Sequence, residues 1–275
     1  MAAPAVTTRL DRLRRAGVVG LVGWALVALV GVWLVVNFVQ EPTEFVNVGL
    51  IGLTNGLIYG LVALGYTLVY GILQLINFAH GDVFALAGLT ASSLIISVLG
   101  LERDAAVITI LGGMVVTLVV IMLMFAAVNA AIEFVAYRRL RRAPRLAALI
   151  TAVGMSFIIQ NVSLAIFDVN FRSIPSFIPR SEAIGIGEIT YSWNKLAALL
   201  ITVPVLIVLT WFVRSTRQGK AMRAVAQDTE ASAMMGINVN RTISVTFAIA
   251  GALAGAAGIV YLLQFNMRYD TGFEL

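Results

Sequence analysis

The chain has 275 residues, of which 60% are hydrophobic and only 12% are charged, and its net charge is +5. A soluble domain needs about 25% charged residues to cover its surface, so this composition indicates a membrane protein. Cysteine is absent and there is a single histidine, which excludes disulfides, thiolate metal sites and multi-histidine metal sites. We therefore predict no metal and no other cofactor.

Seven apolar stretches are long enough to cross a hydrocarbon core of about 30 Å at about 1.5 Å per helical residue. They predict an all-α, polytopic transmembrane helix bundle with one transmembrane domain over residues 1–275. Spans one to six fall within residues 16–213 and span seven within 242–264. The stretches cover roughly residues 17–39, 47–70, 80–100, 107–134, 146–167, 195–213 and 242–264. The first is longer than the h-region of about 7–15 residues in a signal peptide, so we predict an uncleaved span.

The basic residues predict the orientation of these spans, because short loops rich in Lys and Arg stay in the cytoplasm. With the N-terminus in the cytoplasm, 14 of the 19 Lys and Arg residues fall on that side. They are Arg9, Arg12, Arg14, Arg15, Arg138, Arg139, Arg141, Arg142, Arg145, Arg214, Arg217, Lys220, Arg223 and Arg241. This pattern explains the positive charge better than nucleic-acid binding does. The predicted partner of this surface is therefore the lipid bilayer, and no nucleic acid.

Residues 53–82 place polar residues and glycines inside apolar runs. Glycine inside a helix costs about 1 kcal/mol relative to alanine, and polar groups at membrane depth usually face a bundle interior or a water-filled path. The segment therefore predicts a broken helix lining a substrate path, with Thr54, Asn55, Gln74 and Asn77 as its candidate residues. The alternative is that the glycines only permit tight packing and that residues 77–82 form a turn at the cytoplasmic surface.

Two further features lie near or within the predicted spans. His80 is interpreted either as a proton relay or, more simply, as a hydrogen-bonded structural residue. Asp82 is predicted either to fix the tautomer of His80 or to cap the helix of span three. In span seven, small residues about four apart predict close packing of helices; they are Gly251, Gly255 and Gly258.

The loop 214–241 joins spans six and seven and is predicted to be cytoplasmic. Its residues from Gly219 to Met235 favour one or two short amphipathic helices lying parallel to the membrane, and Gly236 is predicted to end them, with a positive φ. A small apolar stripe recurs at helical spacing, formed by Ala221, Met222, Val225 and Ala226. The helices are expected either to lie on lipid headgroups or to dock a cytoplasmic protein.

Three functional classes can be compared on the residues alone. The sequence contains no G-x-x-x-x-G-K-[ST] motif, as expected for a transport subunit driven by a separate ATPase. A self-sufficient secondary transporter or channel should carry a coupling charge in mid-span, but Glu133 and Asp82, the candidates, lie near span boundaries. An intramembrane enzyme needs a Ser/Lys, Asp/Asp or His–metal pairing at depth, and none is found. We therefore predict that the chain is not an enzyme.

Two long segments resemble a known family. Residues 55–88, NGLIYGLVALGYTLVYGILQLINFAHGDVFALAG, resemble the signature region of the permeases of branched-chain amino acid ABC importers, and residues 218–258 resemble their cytoplasmic coupling region. The resemblance covers most of residues 45–275. It implies a permease subunit that translocates branched-chain amino acids across the inner membrane, or urea or short amides as in sister systems. The implied partners are a second permease subunit, cytoplasmic ATP-binding subunits and an extracytoplasmic solute-binding protein.

The resemblance also assigns roles within the loop. The importer pattern Glu-Ala-Ala, three residues, Gly is similar to Glu230-Ala231-Ser232 followed by Gly236. The downstream Leu-Pro of that pattern is missing, so contact with the ATPase is implied only for residues 219–241. The implied coupling residues are Gly219, Arg223, Glu230, Ala231 and Gly236. Family members usually continue past YDTGFEL with a glycine-rich span, so the resemblance implies a chain truncated at its C-terminus.

Overall fold

The computed structural model describes residues 9–74, 76–100, 107–140, 143–174, 182–186 and 189–274. Arg141, Arg142 and the proline-containing segment 175–181 lie outside the described residues. The chain divides into two compact units. One comprises residues 1–50 and 185–190, and the other comprises residues 51–184 and 191–275.

The first unit is built from helix α1, Arg9–Gln40, and the first residues of α2, Pro42–Leu73. Proline at the start of α2 suits a helix N-terminus, because its ring fixes φ and the missing N–H would have no partner there. Phe38 and Phe45 pack edge to face across this corner, with ring centroids 5.6 Å apart. From Gly20 onward the side chains of α1 are exposed or half-buried, as expected for an apolar helix that contacts lipid.

The second unit contains the rest of α2 and eight further helices among the described residues. They are α3 (Ala79–Ser93), α4 (Val107–Ile132), α5 (Arg145–Phe167), α6 (Trp193–Ser215), α7 (Arg217–Gln227), α8 (Thr229–Met234), α9 (Val239–Leu262) and α10 (Thr271–Glu274). A π-helical turn, Leu94–Val98, extends α3, and the turns Glu133–Tyr137 and Arg138–Leu140 extend α4. Two short strands, β1 (Glu182–Ile186) and β2 (Ile189–Ser192), pair with each other.

Seven helices in the described residues are long and apolar enough to cross a membrane, which confirms the predicted helical fold and its number of spans. These candidate spans are Gly20–Gln40, Pro42–Leu73, Ala79–Val98, Ile108–Leu140, Leu146–Phe167, Trp193–Ser215 and Val239–Leu262.

Helix α9 forms the centre of the second unit, with α3 and α4 packed along it. Most of its residues from Thr242 to Leu262 are buried. Gly251 lies against the backbone carbonyl of Phe125 on α4, and Gly258 lies against Gly88 on α3. The backbones approach closely because these positions carry no Cβ, which confirms the predicted role of the small residues in span seven.

The break in residues 53–82 is not at Thr54–Gly56. Helix α2 is continuous from Pro42 to Leu73, and the chain leaves helical geometry at Gln74, whose φ is 52°. A left-handed conformation is costly for a residue with a Cβ, so Gln74 marks an abrupt end to α2. The prediction of an interrupted helix therefore holds for the junction 74–78, while the polar group at 54–56 is part of an unbroken helix.

After α9, the chain folds back along α3. Met267 is fully buried against Gly88, and Gly272 lies against Gly81, the residue that precedes Asp82 in the sequence. Arg172 and Met267 exchange backbone hydrogen bonds of 2.8 and 2.9 Å, which fixes the start of this segment. Residues 267–272 thus run antiparallel to the first part of α3, from Gly88 towards its N-terminus.

The orientation of the spans in the membrane remains a prediction that cysteine labelling can test, because the chain has no cysteine of its own. Ser215, at the end of α6, and Asn170, after α5, are both exposed. With the N-terminus in the cytoplasm, Asn170→Cys should react with a membrane-impermeant maleimide in whole cells. Ser215→Cys should react only after the inner face is opened. The opposite sidedness would reject the predicted orientation.

Candidate functional site

Helix α3 begins level with the middle of α9. Gly65 of α2 lies against the imidazole of His80, in the first turn of α3, and also against the carbonyl of Ala250. Ala250 is near the midpoint of α9, which runs from Val239 to Leu262, and so lies about 16 Å from either end at 1.5 Å per residue. The first turn of α3 is therefore placed deep within the spans, while Gln74 follows the end of α2, eight residues or about 12 Å beyond Gly65.

Asn77 lies in this junction and is only 4% exposed. Its Oδ1 accepts a 2.7 Å hydrogen bond from the hydroxyl of Tyr137, at the end of α4. Its Nδ2 has no hydrogen-bond partner. The backbone carbonyl of Asn77 accepts from the N–H of His80 at 3.1 Å, so the residue is fixed at the start of α3 with its side-chain NH2 group unpartnered.

His80 is buried to 1% exposure among α2, α3 and α9. Tyr66 meets its ring edge-on at a centroid distance of 6.3 Å. The carbonyl of Val62 is near enough to interact electrostatically, but neither ring nitrogen makes a hydrogen bond of normal geometry. Because the Val62 carbonyl also faces the imidazole, the structural role and the proton relay of His80 both remain predictions.

Asp82 accepts a 2.9 Å hydrogen bond from the side chain of Gln160 on α5, which also lies 3.4 Å from Ser156. The N-terminus of α3 has no side-chain cap, so the predicted capping role of Asp82 is wrong. Residues two apart on a helix do not face each other, and Asp82 is directed towards α5. This carboxylate joins α3 to α5 at the level of the helix start.

The other predicted path residues lie elsewhere. Thr54 is fully buried and its hydroxyl is 2.9 Å from that of Tyr191. It is eleven residues, or about 16 Å along α2, from the position of Gly65. Asn55 is half-buried and Gln74 is exposed. The structure thus does not bring the four residues into one cluster; Asn77 alone lies at the start of α3.

A partly buried ion pair in the extension of α4 is linked to α9 by Ser244, on the side of the predicted coupling loop. Glu133 is fully buried, and its Oε2 lies 3.1 Å from the guanidinium of Arg138 and 2.6 Å from the hydroxyl of Ser244. Arg138 also donates to Ser244 at 2.7 Å. Arg138 and Ser244 both bind the Glu133 carboxylate. This environment suits a structural role for Glu133 better than the role of a coupling charge in a secondary transporter.

The predicted coupling loop folds into the two short helices α7 and α8, which confirms that part of the sequence analysis. Met222 and Val225, from the predicted apolar stripe, are buried. Thr216 caps α7 by accepting from the N–H of Gly219 at 3.0 Å. Gly236 follows α8 with a φ of 80°, as predicted for a residue that ends the helix and turns the chain towards α9.

The candidate coupling residues have different surroundings. Gly219 is buried, and a Cβ there would overlap the carbonyl oxygens of Phe212 and Val213 at the end of α6. Arg223 is exposed and donates to the Val213 carbonyl. Glu230 and Gly236 are exposed and Ala231 is half-buried. Gly219 and Arg223 therefore attach α7 to α6, while the other three lie on an open surface.

The most exposed apolar side chains of this loop, Met234 and Met235, were not predicted to have a role. Met234 and Met235 end α8 and are 82% and 83% exposed. Together with Glu230, Ala231 and Gly236 they form what we call the coupling surface. Two adjacent, flexible apolar side chains in a predicted cytoplasmic loop are typical of a protein contact. In the sequence, this contact was indicated only by the two methionines directly before Gly236.

Comparison with known proteins identifies the family. Residues 49–275 match the family described as the permease component of the branched-chain amino acid transport system. The chain belongs to this family. The permease is 35% identical over 219 residues to the high-affinity branched-chain amino acid transport system permease protein BraD of Pseudomonas aeruginosa, covering 78% of this chain and 70% of BraD. It is 35% identical over 212 residues to LivH of Escherichia coli K12, covering 76% of this chain and 68% of LivH.

A more limited similarity extends to a further transporter. The nucleoside ABC transporter permease protein NupB of Lactococcus lactis is 35% identical over 82 residues, which are 27% of the permease and 22% of NupB. No solved structure matches the permease. Family and spans together make this chain a multi-pass membrane permease component of a transport system, and its relatives are named as transport proteins rather than enzymes.

Proposed function

We propose that the permease is the membrane subunit of an ABC importer that translocates branched-chain amino acids across the inner membrane, using ATP hydrolysis by partner subunits. The observation that carries this proposal is the 35% identity to both BraD and LivH, over 78% and 76% of this chain. Both relatives are named as high-affinity branched-chain amino acid permease proteins. The proposed partners are a second permease subunit, two cytoplasmic ATP-binding subunits and an extracytoplasmic solute-binding protein.

The coupling surface supports the requirement for an ATPase partner. The given sequence contains no nucleotide-binding motif, which fits a subunit driven by a separate ATPase, and Met234 and Met235 offer an apolar contact for such a partner. The mixture of small, charged and apolar groups on this surface suits insertion of α8 into a cleft. Since Gly219 and Arg223 attach α7 to α6, we propose that movement of the ATPase reaches the spans through this attachment.

The substrate path is proposed to pass the start of α3, where Asn77 lies. An interruption of helices deep in a membrane is tolerated where backbone lines a cavity or is buried in protein, and transporters use such interruptions to bind the polar ends of a substrate. Thr54, Asn55 and Gln74 are retained as candidate residues of the substrate path at other depths along the spans.

Uptake by the complete complex in proteoliposomes tests the function. The solute-binding protein and labelled substrate are supplied outside, and ATP is enclosed. We expect uptake of leucine, isoleucine and valine that requires enclosed ATP, with at least a tenfold lower rate when ADP replaces it. Preferential uptake of urea or a short amide would overturn the substrate assignment. Equal uptake with ADP under an ion gradient would instead indicate a secondary transporter.

A further inference from the structure

The extension of α4, residues 133–140, has one buried side with two polar groups. Glu133 and Tyr137 are the first and last residues of its π-helical turn, and both are buried. Residues four apart lie on the same side of a helix, so the carboxylate and the phenol are directed into the protein together. Short π-helical turns are uncommon and occur frequently at functional sites.

This side of the extension is attached to the first half of α9. The carboxylate of Glu133 accepts a 2.6 Å hydrogen bond from Ser244 and lies 3.1 Å from Arg138, which itself donates to Ser244 at 2.7 Å. The ring of Tyr137 packs against that of Phe247, with centroids 5.5 Å apart. Because Ser244 and Phe247 are three residues apart, they lie on one face of α9. We therefore expect the extension to move together with this part of α9.

This part of α9 begins directly after the coupling surface. Gly236 ends that surface, and Asn238 caps α9 by accepting from the N–H of Arg241 at 3.0 Å. Ser244 is six residues beyond the cap, or about 9 Å along the helix. A capped helix of this length behaves as a rigid element, so a displacement of the coupling surface reaches Ser244.

The extension also holds the junction between α2 and α3. Tyr137 donates a 2.7 Å hydrogen bond to Asn77 Oδ1, and both residues are buried. Asn77 lies between Gln74, where α2 has ended with a φ of 52°, and the first turn of α3. Helix ends leave backbone groups without intrahelical partners, so side-chain bonds contribute more to the position of such a junction. The hydroxyl of Tyr137 therefore ties the position of Asn77 to that of α9.

We propose that Tyr137 is a positioning residue of the transport cycle, whose hydroxyl makes Asn77 follow the displacement of α9. The group formed by Glu133, Arg138 and Ser244 attaches Tyr137 to that helix. The inference rests on the proposed function and adds a connection between the coupling surface and the substrate path. Hydrogen-bond networks between rigid helices can carry such coupling. Bonds that only stabilise the fold would instead change uptake and ATP hydrolysis to the same extent.

Tyr137→Phe tests the hydroxyl, because it keeps the ring that packs against Phe247. Leucine uptake and substrate-stimulated ATP hydrolysis are measured together in proteoliposomes that contain the complete complex, with the solute-binding protein outside. We expect hydrolysis to persist while the number of leucine molecules transported per ATP falls at least threefold. A smaller change in this ratio overturns the proposal, even if both rates have fallen.

Ser244→Ala tests the attachment to α9, because it removes the hydroxyl that binds both Glu133 and Arg138. The matched control is Ser163→Ala, since the buried hydroxyl of Ser163 donates to the Ile159 carbonyl of its own helix, α5. We expect the number of leucine molecules per ATP to fall at least threefold in Ser244→Ala and to stay at the wild-type value in Ser163→Ala. Equal ratios in the two variants overturn the proposal.

The double variant Tyr137→Phe with Ser244→Ala tests whether the two residues act on one route. Effects of residues in one hydrogen-bond network are not additive, so the ratio should lie no more than twofold below that of the more affected single variant. A larger further loss would show that the residues act separately and would overturn the proposal. A wild-type complex that transports no branched-chain amino acid would instead refute the proposed function.

Discussion

The double substitution Met234→Ser and Met235→Ser is expected to prevent the ATP-binding subunits from co-purifying with the permease, while the permease itself still inserts and folds. The two methionines are more than 80% exposed, so their removal disturbs no internal packing. If they enter a cleft of the ATPase, burying each would contribute about 1.5–3 kcal/mol. Loss of both should weaken the contact by at least a factor of 100, since about 1.4 kcal/mol corresponds to a factor of 10.

Two further variants examine the same contact by different means. Gly236→Val places a β-branched residue at a φ of 80°, which L residues adopt only with strain. Ala231→Trp adds bulk to a half-buried position on the coupling surface. Both should abolish ATPase co-purification and substrate-stimulated hydrolysis without preventing membrane insertion.

The control for these variants is Arg217→Ser, which changes an exposed residue of α7 outside residues 219–241 and outside the coupling surface. It should leave co-purification and hydrolysis unchanged. If the α8 variants also retain both, then α7 and α8 rest on lipid headgroups and do not dock the ATPase. All measurements are made on complexes containing the complete set of partner subunits.

Gly251→Ala should destabilise the permease by about 1–3 kcal/mol, the usual effect of adding a methyl group to a tightly packed core. A Cβ at Gly251 would overlap the backbone carbonyl of Phe125 and the side chain of Asn129. A backbone carbonyl cannot turn aside as a flexible side chain can, so α4 and α9 would have to separate. The same separation would disturb the 2.7 Å hydrogen bond from Asn129 to the Phe247 carbonyl.

Other glycines provide a graded comparison. At Gly255 a Cβ would lie 3.2 Å from the Ile121 carbonyl, so Gly255→Ala should cost less than Gly251→Ala. Gly112 has open space around it, and Gly112→Ala should be neutral or stabilising by up to about 1 kcal/mol. Thermal unfolding of the purified subunit in detergent measures this order. Equal Tm values for the three variants would show that α4 and α9 adjust freely.

The spans could be predicted because hydropathy is a local property summed over about 20 residues. The ends of α7 and α8 and the positive φ of Gly236 follow similarly from local residue preferences. The position of the helix break could not be predicted in this way. Thr54 and Asn55 suggested an interruption, but α2 is continuous through both residues, and the hydroxyl of Thr54 is bonded to Tyr191, 137 residues later.

The candidate site was predicted only in part for the same reason. Asn77 was selected because it is polar within an apolar region, but its hydrogen bond to Tyr137 and the burial of its amide nitrogen depend on a neighbour 60 residues away. The bonds from Gln160 to Asp82 and from Ser244 to Glu133 join residues 78 and 111 positions apart. A single sequence without its contacts does not indicate which polar residues satisfy one another.

The return of residues 267–272 along α3 affects how the protein is made. Helix α3 leaves the ribosome before four later spans, yet Gly88 and Gly81 have their final neighbours, Met267 and Gly272, at the other end of the chain. Throughout synthesis of those spans, the first half of α3 is without this covering. Its final packing is therefore a late event in biogenesis, because it waits for residues that are translated after span seven.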